Sequence, residues 1–261
     1  MTTGKRRALG QHFLRDASVS RAIVDLLAPT PADLVVEIGP GEGALSEHLA
    51  RRGWRVIALE VDRVLVERLR RRLATVEVVE ADARTWDYGA LARPPGGRVL
   101  VVGNLPYSVG KPILQALVEA RTAIDEMALM LQLEVAERVA AAPGGKTYGS
   151  LSILTQVYCD ARIVRRVPPG AFRPPPKVES AVVYLRPLPT PRIDPAEQDR
   201  FHTVVRAAFA QRRKTLANAL AAGLGLSVDR AREAARTVGI DPSRRAETLD
   251  IKEFAALARR L

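Results

Sequence analysis

Hydrophobic positions along the chain follow two periods, and the two alternate. Short apolar runs of strand length fall at 35–38, 55–60, 76–80, 98–103 and 127–131. Between them, apolar residues recur every three to four positions over 44–50, 64–74, 109–120 and 134–141, the spacing of amphipathic helices. An earlier helix places Val19, Ile23, Leu26 and Leu27 on one face, takes Asp16 or Ser18 as its cap, and ends at Pro29 and Pro31. Strands alternating with helices predict an α/β fold around a mainly parallel sheet. A helix over 148–158 follows, and then two runs, 163–167 and 178–185, predict a hairpin-like pair closing the sheet. Pro187-Leu188-Pro189-Thr190-Pro191 reads as a linker. Beyond it strand patterns cease, and helices are predicted over 195–210, 214–222, 228–238 and 251–261. The expected organisation is a sheet domain over 1–187, with an irregular basic arm at 1–15, and a small all-α domain over 188–261.

Composition narrows the function class. The chain has 261 residues, one cysteine and a formal net charge of +11. The lone Cys159 excludes an intrachain disulfide and suits a reducing cytoplasm. No apolar run reaches the length of a membrane span, and 1–7 lacks the apolar core of a secretory signal. The charge predicts a polyanionic partner, nucleic acid first. Basic residues outnumber acidic ones after the linker, most densely at Arg206, Arg212, Arg213 and Lys214. These four are the candidate phosphate contacts.

The chemistry begins at Glu37-Ile38-Gly39-Pro40-Gly41-Glu42-Gly43, where a strand runs into a glycine turn and then a helix. Such a turn lets the backbone approach a ligand, and the helix start offers free N–H groups. Gly39-x-Gly41-x-x-Ala44 fits a dinucleotide fingerprint, and Gly39-x-Gly41-x-Gly43 fits an S-adenosylmethionine loop. Glu60 ends the second strand, where an acid would take ribose hydroxyls, and Asp82 follows the third, within reach of an adenine amine. Together they indicate an adenosine-containing cofactor without naming it.

Asn104-Leu105-Pro106-Tyr107 closes the fourth strand. Asn104 offers an amide oxygen, Pro106 stiffens the turn, and Tyr107 gives an aromatic face. A planar amine needs that set: acceptors for its N–H groups and a ring to stack on. A dehydrogenase has no use for it. The expected arrangement has the Asn104 oxygen and the Leu105 carbonyl each taking one amine hydrogen. No metal is called for.

With these motifs on the page, the chain resembles the ribosomal RNA adenine N6-dimethyltransferases, in their small-subunit, kasugamycin-resistance branch. The matching stretches are Gly10-Gln11-His12-Phe13-Leu14, Glu37-Ile38-Gly39-Pro40-Gly41, Glu60-Val61-Asp62, Asp82-Ala83 and Asn104-Leu105-Pro106-Tyr107. Later matches are Phe172 to Val182, Gln211-Arg212-Arg213-Lys214-Thr215-Leu216, Gly239-Ile240-Asp241-Pro242 and Arg245-Ala246-Glu247. The resemblance implies a Rossmann-like class I methyltransferase fold and S-adenosyl-L-methionine as cofactor. It implies cofactor contacts from His12, Leu14, Gly39, Gly41, Glu60, Asp82 and Asn104. It also implies a base pocket of Asn104, Leu105, Pro106 and Tyr107, with Phe172, otherwise a packing residue, as its second wall. The implied substrate is a loop of small-subunit rRNA in an immature ribosomal particle, bound by a monomer. Alternatives are a large-subunit rRNA methyltransferase of the erythromycin-resistance type and an RNA-binding assembly factor with little catalysis. Gly239-Ile240-Asp241-Pro242 and the Gln-Arg-Arg-Lys-Thr match favour the small-subunit branch. Three positions depart from the family pattern: His12 stands where many members carry Asn, Leu133 replaces a usual Lys and Ala217 a usual Arg. The last two remove a positive charge expected near RNA.

Overall fold

The structure, a computed structural model, describes residues 12–261. Most of the basic arm, including Lys5, Arg6, Arg7, Gly10 and Gln11, lies outside the described residues. Two compact units emerge. The first contains the described residues up to Ala136 together with Asp160–Pro187, and the second Glu137–Cys159 together with Leu188–Leu261. Residues 137–159, which linear order puts with the sheet, thus belong to the helical unit.

The first unit opens with β1 (Phe13–Leu14) and α1 (Ala17–Leu26). The Asp16 carboxylate caps α1 by accepting the N–H groups of Ser18 and Val19. Then come β2 (Leu34–Ile38), α2 (Ser46–Ala50), β3 (Arg55–Glu60), α3 (Arg63–Arg72) and β4 (Val76–Glu80). They are followed by β5 (Val99–Asn104), α4 (Gly110–Glu119), β6 (Glu126–Gln132) and α5 (Leu133–Val139). After α6 (Ser150–Gln156), the chain forms β7 (Cys159–Val167), β8 (Phe172–Arg173) and β9 (Ser180–Pro187).

Seven strands make one sheet in the order β4-β3-β2-β5-β6-β9-β7. The pairs from β4 to β6 are parallel, and β9 joins β6 antiparallel. The predicted pair at the end of the sheet is therefore present as the neighbours β9 and β7. The inner parallel strands β3, β2, β5 and β6 are buried on both faces, which explains their apolar runs, while the edge strand β4 exposes Glu77 and Glu80. Helices flank a doubly wound, Rossmann-like sheet. Strand order reverses between β2 and β5, so the ends of these neighbours, Ile38 opposite Gly103, border the crevice where such sheets bind ligands.

Two local features differ from the sequence expectation. The helix predicted from Ala44 begins at Ser46, because residues 41–45 are spent on turns. The arm also contributes regular structure: Phe13 and Leu14 pair antiparallel with Arg173 and Phe172.

The second unit adds α7 (Gln198–Ala210), α8 (Leu216–Leu224), α9 (Val228–Thr237) and α10 (Ile251–Ala258) to α6. Phe209 meets Tyr148 edge-on at 6.3 Å and Phe254 at 5.9 Å, and Phe201 and Leu220 are fully buried. An αL glycine, Gly225, ends α8. No helix among the described residues is long and apolar enough to cross a membrane.

Candidate active site

The carboxyl ends of β2, β3, β4 and β5 surround a cavity in the first unit. Its empty volume, open mouth included, is about 1120 Å³. His12, Leu14, Gly39, Gly41, Glu60, Asp82, Asn104, Leu105, Pro106 and Tyr107 all line it. Side chains from across the sequence converge there because four parallel strands end on the same edge.

The glycine turn is shaped to admit a ligand. Gly39 donates to the Leu59 carbonyl at 2.9 Å, tying the turn to the neighbouring strand. Gly41 has φ +57°, and a Cβ there would lie 2.9 Å from the Phe13 ring. Only glycine meets both conditions without strain.

Glu60, 4% exposed, fixes this turn. Its Oε2 accepts the Gly41 N–H at 3.1 Å, and its Oε1 accepts those of Val61 and Asp62 at 2.9 and 3.0 Å. Burial raises its pKa, and the three N–H donors oppose the shift. Glu37, fully buried beneath the turn, accepts from Ser46 Oγ at 2.6 Å. Burial raises its pKa to about 7, the Ser46 bond opposes this, and the nearby Glu60 adds to it.

Asp82 is clamped by its near neighbour Arg84. The guanidinium reaches both carboxylate oxygens, closest at 2.5 Å, and the Arg84 N–H donates at 2.9 Å. Asp82 is held below its usual range mainly by the Arg84 side chain. Beside it, Val61 lines the cavity while 59% exposed, an apolar surface for a ring to cover.

At the end of β5, Asn104 Nδ2 donates to the His12 carbonyl at 3.0 Å, leaving Oδ1 as its acceptor face. The Tyr107 hydroxyl and the buried Ser180 Oγ lie 2.5 Å apart. The Tyr107 ring sits 5.2 Å from the His12 ring, tilted by 39°. The His12 Nδ1 also lies 2.8 Å from the Pro174 carbonyl.

Two expectations need correction. Phe172 is only 4% exposed, belongs to the core of the unit and does not line the cavity. Its strand pairing with Leu14 carries the ring inward, so the packing role read from the residues alone is the one observed. Ala217 is 2% exposed, so this position does not present a surface charge site. All four basic residues, Arg206, Arg212, Arg213 and Lys214, are exposed on the helical unit. Arg212 differs in also donating to the Lys146 and Tyr148 carbonyls at 2.8 and 3.2 Å.

The profile of the family described as ribosomal RNA adenine dimethylase matches residues 2–261. The chain belongs to the ribosomal RNA adenine dimethylase family. Within it, the chain is 45% identical to "Ribosomal RNA small subunit methyltransferase A" of Geobacter metallireducens, over 97% of this chain and 94% of that protein. Among solved structures, a dimethyladenosine transferase from Plasmodium falciparum superposes with a TM-score of 0.78 at 23% identity, covering 94% of this chain and 96% of that one. The 23S rRNA methyltransferase ErmE gives 0.70 at 27% identity, covering 95% and 99%. The fold is that of class I methyltransferases, and the adenine dimethylase uses S-adenosyl-L-methionine. The cavity bordered by Gly39, Glu60 and Asp82, with the exposed Val61 in its lining, suits that group.

Sequence reading missed Arg84, Ser180 and the Arg15–Glu42 ion pair of 2.5 Å beside the glycine turn. Arg84 was legible as a cation two residues from an acid. Ser180 stood out only as a hydroxyl heading an apolar strand.

Proposed function

We propose that this dimethylase converts adenines in a small-subunit (16S) rRNA loop to N6,N6-dimethyladenosine, during assembly of the small ribosomal subunit. It acts as a monomer in the cytoplasm. The observation that carries the reading is the Asn104 amide. Its Nδ2 is spent on the His12 carbonyl, so Oδ1 is the atom offered to the cavity side.

S-Adenosylmethionine, when bound, supplies a methyl group on a sulfonium centre. The cradle for it consists of Gly39, Gly41, Glu60 and Asp82, with Leu14 also in the cavity lining. The target amine is a weak nucleophile because its lone pair is delocalised into the purine. Asn104 Oδ1 and the Leu105 carbonyl each accept one N–H, which draws the lone pair out of conjugation. Tyr107 provides the stacking face, and its hydroxyl contact with Ser180 fixes the ring. Extruding the base costs a few kcal/mol and is cheapest in an unpaired loop. The proton lost after alkylation passes to water. For the second transfer a single N–H remains, so one acceptor suffices while the other side accommodates the first methyl group. Exposed Arg206, Arg213 and Lys214 grip phosphates of the surrounding RNA.

The small-subunit substrate is supported by the 45% identity to the Geobacter small-subunit methyltransferase over 97% of this chain. Asn104→Ala tests the mechanism. Methyl transfer is expected to fall by about a thousandfold, the scale of a lost transition-state hydrogen bond. Cofactor affinity should stay within about tenfold, since one polar contact is removed. Undiminished transfer by that variant would refute the role of Asn104.

A further inference from the structure

We infer that His12 is a positioning residue for the target adenine, acting through Asn104 and Tyr107. The inference rests on the proposed role of Asn104 as amine acceptor.

β1 and β8 pair Phe13 with Arg173 and Leu14 with Phe172, so continuing the antiparallel register sets His12 opposite Pro174. Arg15 donates to the Ala171 carbonyl at 2.8 Å, so the ladder bonds fall at Arg15 and Phe13, and the His12 carbonyl faces away from β8, where Asn104 Nδ2 takes it at 3.0 Å. An amide rotated the other way would point an oxygen at that carbonyl, oxygen against oxygen. The His12 main chain thus fixes which atom of Asn104 faces the substrate.

The His12 side chain adds a contact beyond the end of the ladder. Its Nδ1 lies 2.8 Å from the Pro174 carbonyl. A carbonyl only accepts, so Nδ1 carries the proton in this contact. The imidazole meanwhile rests 5.2 Å from the Tyr107 ring, whose far end is held by Ser180. One residue therefore ties the arm to the Phe172 strand, orients the carboxamide and braces the stacking ring. Phe172, lying in the core, supports this arrangement from behind.

Three substitutions separate these roles. His12→Asn keeps a donor for Pro174 and loses the ring. His12→Phe keeps the ring and loses the donor, and His12→Ala loses both. Transfer to undermodified small subunits is measured as kcat and KM, alongside calorimetric affinity for S-adenosylmethionine. Misplacing a reacting group by an ångström costs up to about a hundredfold. On that scale His12→Ala is expected to lose roughly 30-fold in kcat and His12→Phe about tenfold. His12→Asn should stay within about fivefold of the native enzyme. Cofactor affinity should move less than about threefold in each, since the ring's contacts are with the Pro174 carbonyl and the Tyr107 ring. Nitrogen-15 spectra should show a protonated Nδ1 on His12. Native kcat in His12→Ala, or a loss in kcat/KM fully matched by lost cofactor affinity, would overturn the inference. Asn104→Ala separates the two levels. If it too turns over normally, the amine-acceptor reading fails. If it is inactive while the His12 variants are native-like, only the role of His12 fails.

Discussion

Glu60 and Gly41 are joined by a buried hydrogen bond of 3.1 Å that makes the second strand hold the turn after the first. The same carboxylate holds the next two N–H groups of its own chain, so one side chain organises the cofactor-facing edge of both strands. Glu60→Ala leaves buried donors without an acceptor, at about 1–3 kcal/mol each. Affinity for S-adenosylmethionine should drop by at least about a hundredfold in calorimetry, with a lower melting temperature. Native affinity in that variant would contradict the account.

Gly41→Ala attacks the same turn from the other side. The new Cβ meets the Phe13 ring at 2.9 Å in a left-handed conformation. The strain should cost about 1–3 kcal/mol and displace Phe13 from the turn. A cofactor titration is expected to show binding weakened by roughly tenfold or more.

Glu37 gives a pH signature. Its pKa is raised from 4.5 to about 7 in the folded protein, with burial the main cause. The folded state therefore holds a proton that the unfolded chain has already released. The stabilisation is complete below pH 4.5 and is lost as pH rises to about 7. Glu37→Gln cannot titrate. Urea unfolding from pH 5 to 8 should show this variant gaining on the native protein by roughly 2–4 kcal/mol as pH rises. A pH-independent difference between the two would refute the assignment.

The basic group at 212–214 divides into two roles. Arg212 bridges the Lys146 and Tyr148 carbonyls and approaches Glu247 at 3.7 Å. Arg212→Ala should destabilise the helical unit by about 1–3 kcal/mol, read by thermal melting. Arg213→Glu and Lys214→Glu should leave melting unchanged and each lower the salt dependence of RNA binding by about one unit of slope. If Arg212→Ala melts like the native protein, this division fails.

Much of this was legible before any coordinates. Strands buried on both faces write themselves as unbroken apolar runs, and Glu37 to Gly43 and Asn104 to Tyr107 sit where strands end. Other parts leave no periodic trace. A ladder as short as Phe13–Leu14 against Phe172–Arg173 has too few residues to show alternation. The assignment of 137–159 to the helical unit depends on long-range packing, which linear order conceals. Phe172 looks the same in sequence as a pocket wall or a core ring, and burial decides between them. Arg212, Arg213 and Lys214 are chemically alike, and the Arg212 bonds to the Lys146 and Tyr148 carbonyls, which set it apart, depend on the fold.

The central claim is that an amide at the rim of this sheet presents small-subunit adenines for double methylation. The direct measurement incubates this enzyme with undermodified small subunits, free large subunits and isotope-labelled S-adenosylmethionine, then maps modified nucleosides by mass spectrometry. The account predicts labelled N6,N6-dimethyladenosine in small-subunit rRNA, and none with Asn104→Ala. Label confined to large-subunit rRNA, or labelled small-subunit adenines from the Asn104→Ala enzyme at the native rate, would contradict it.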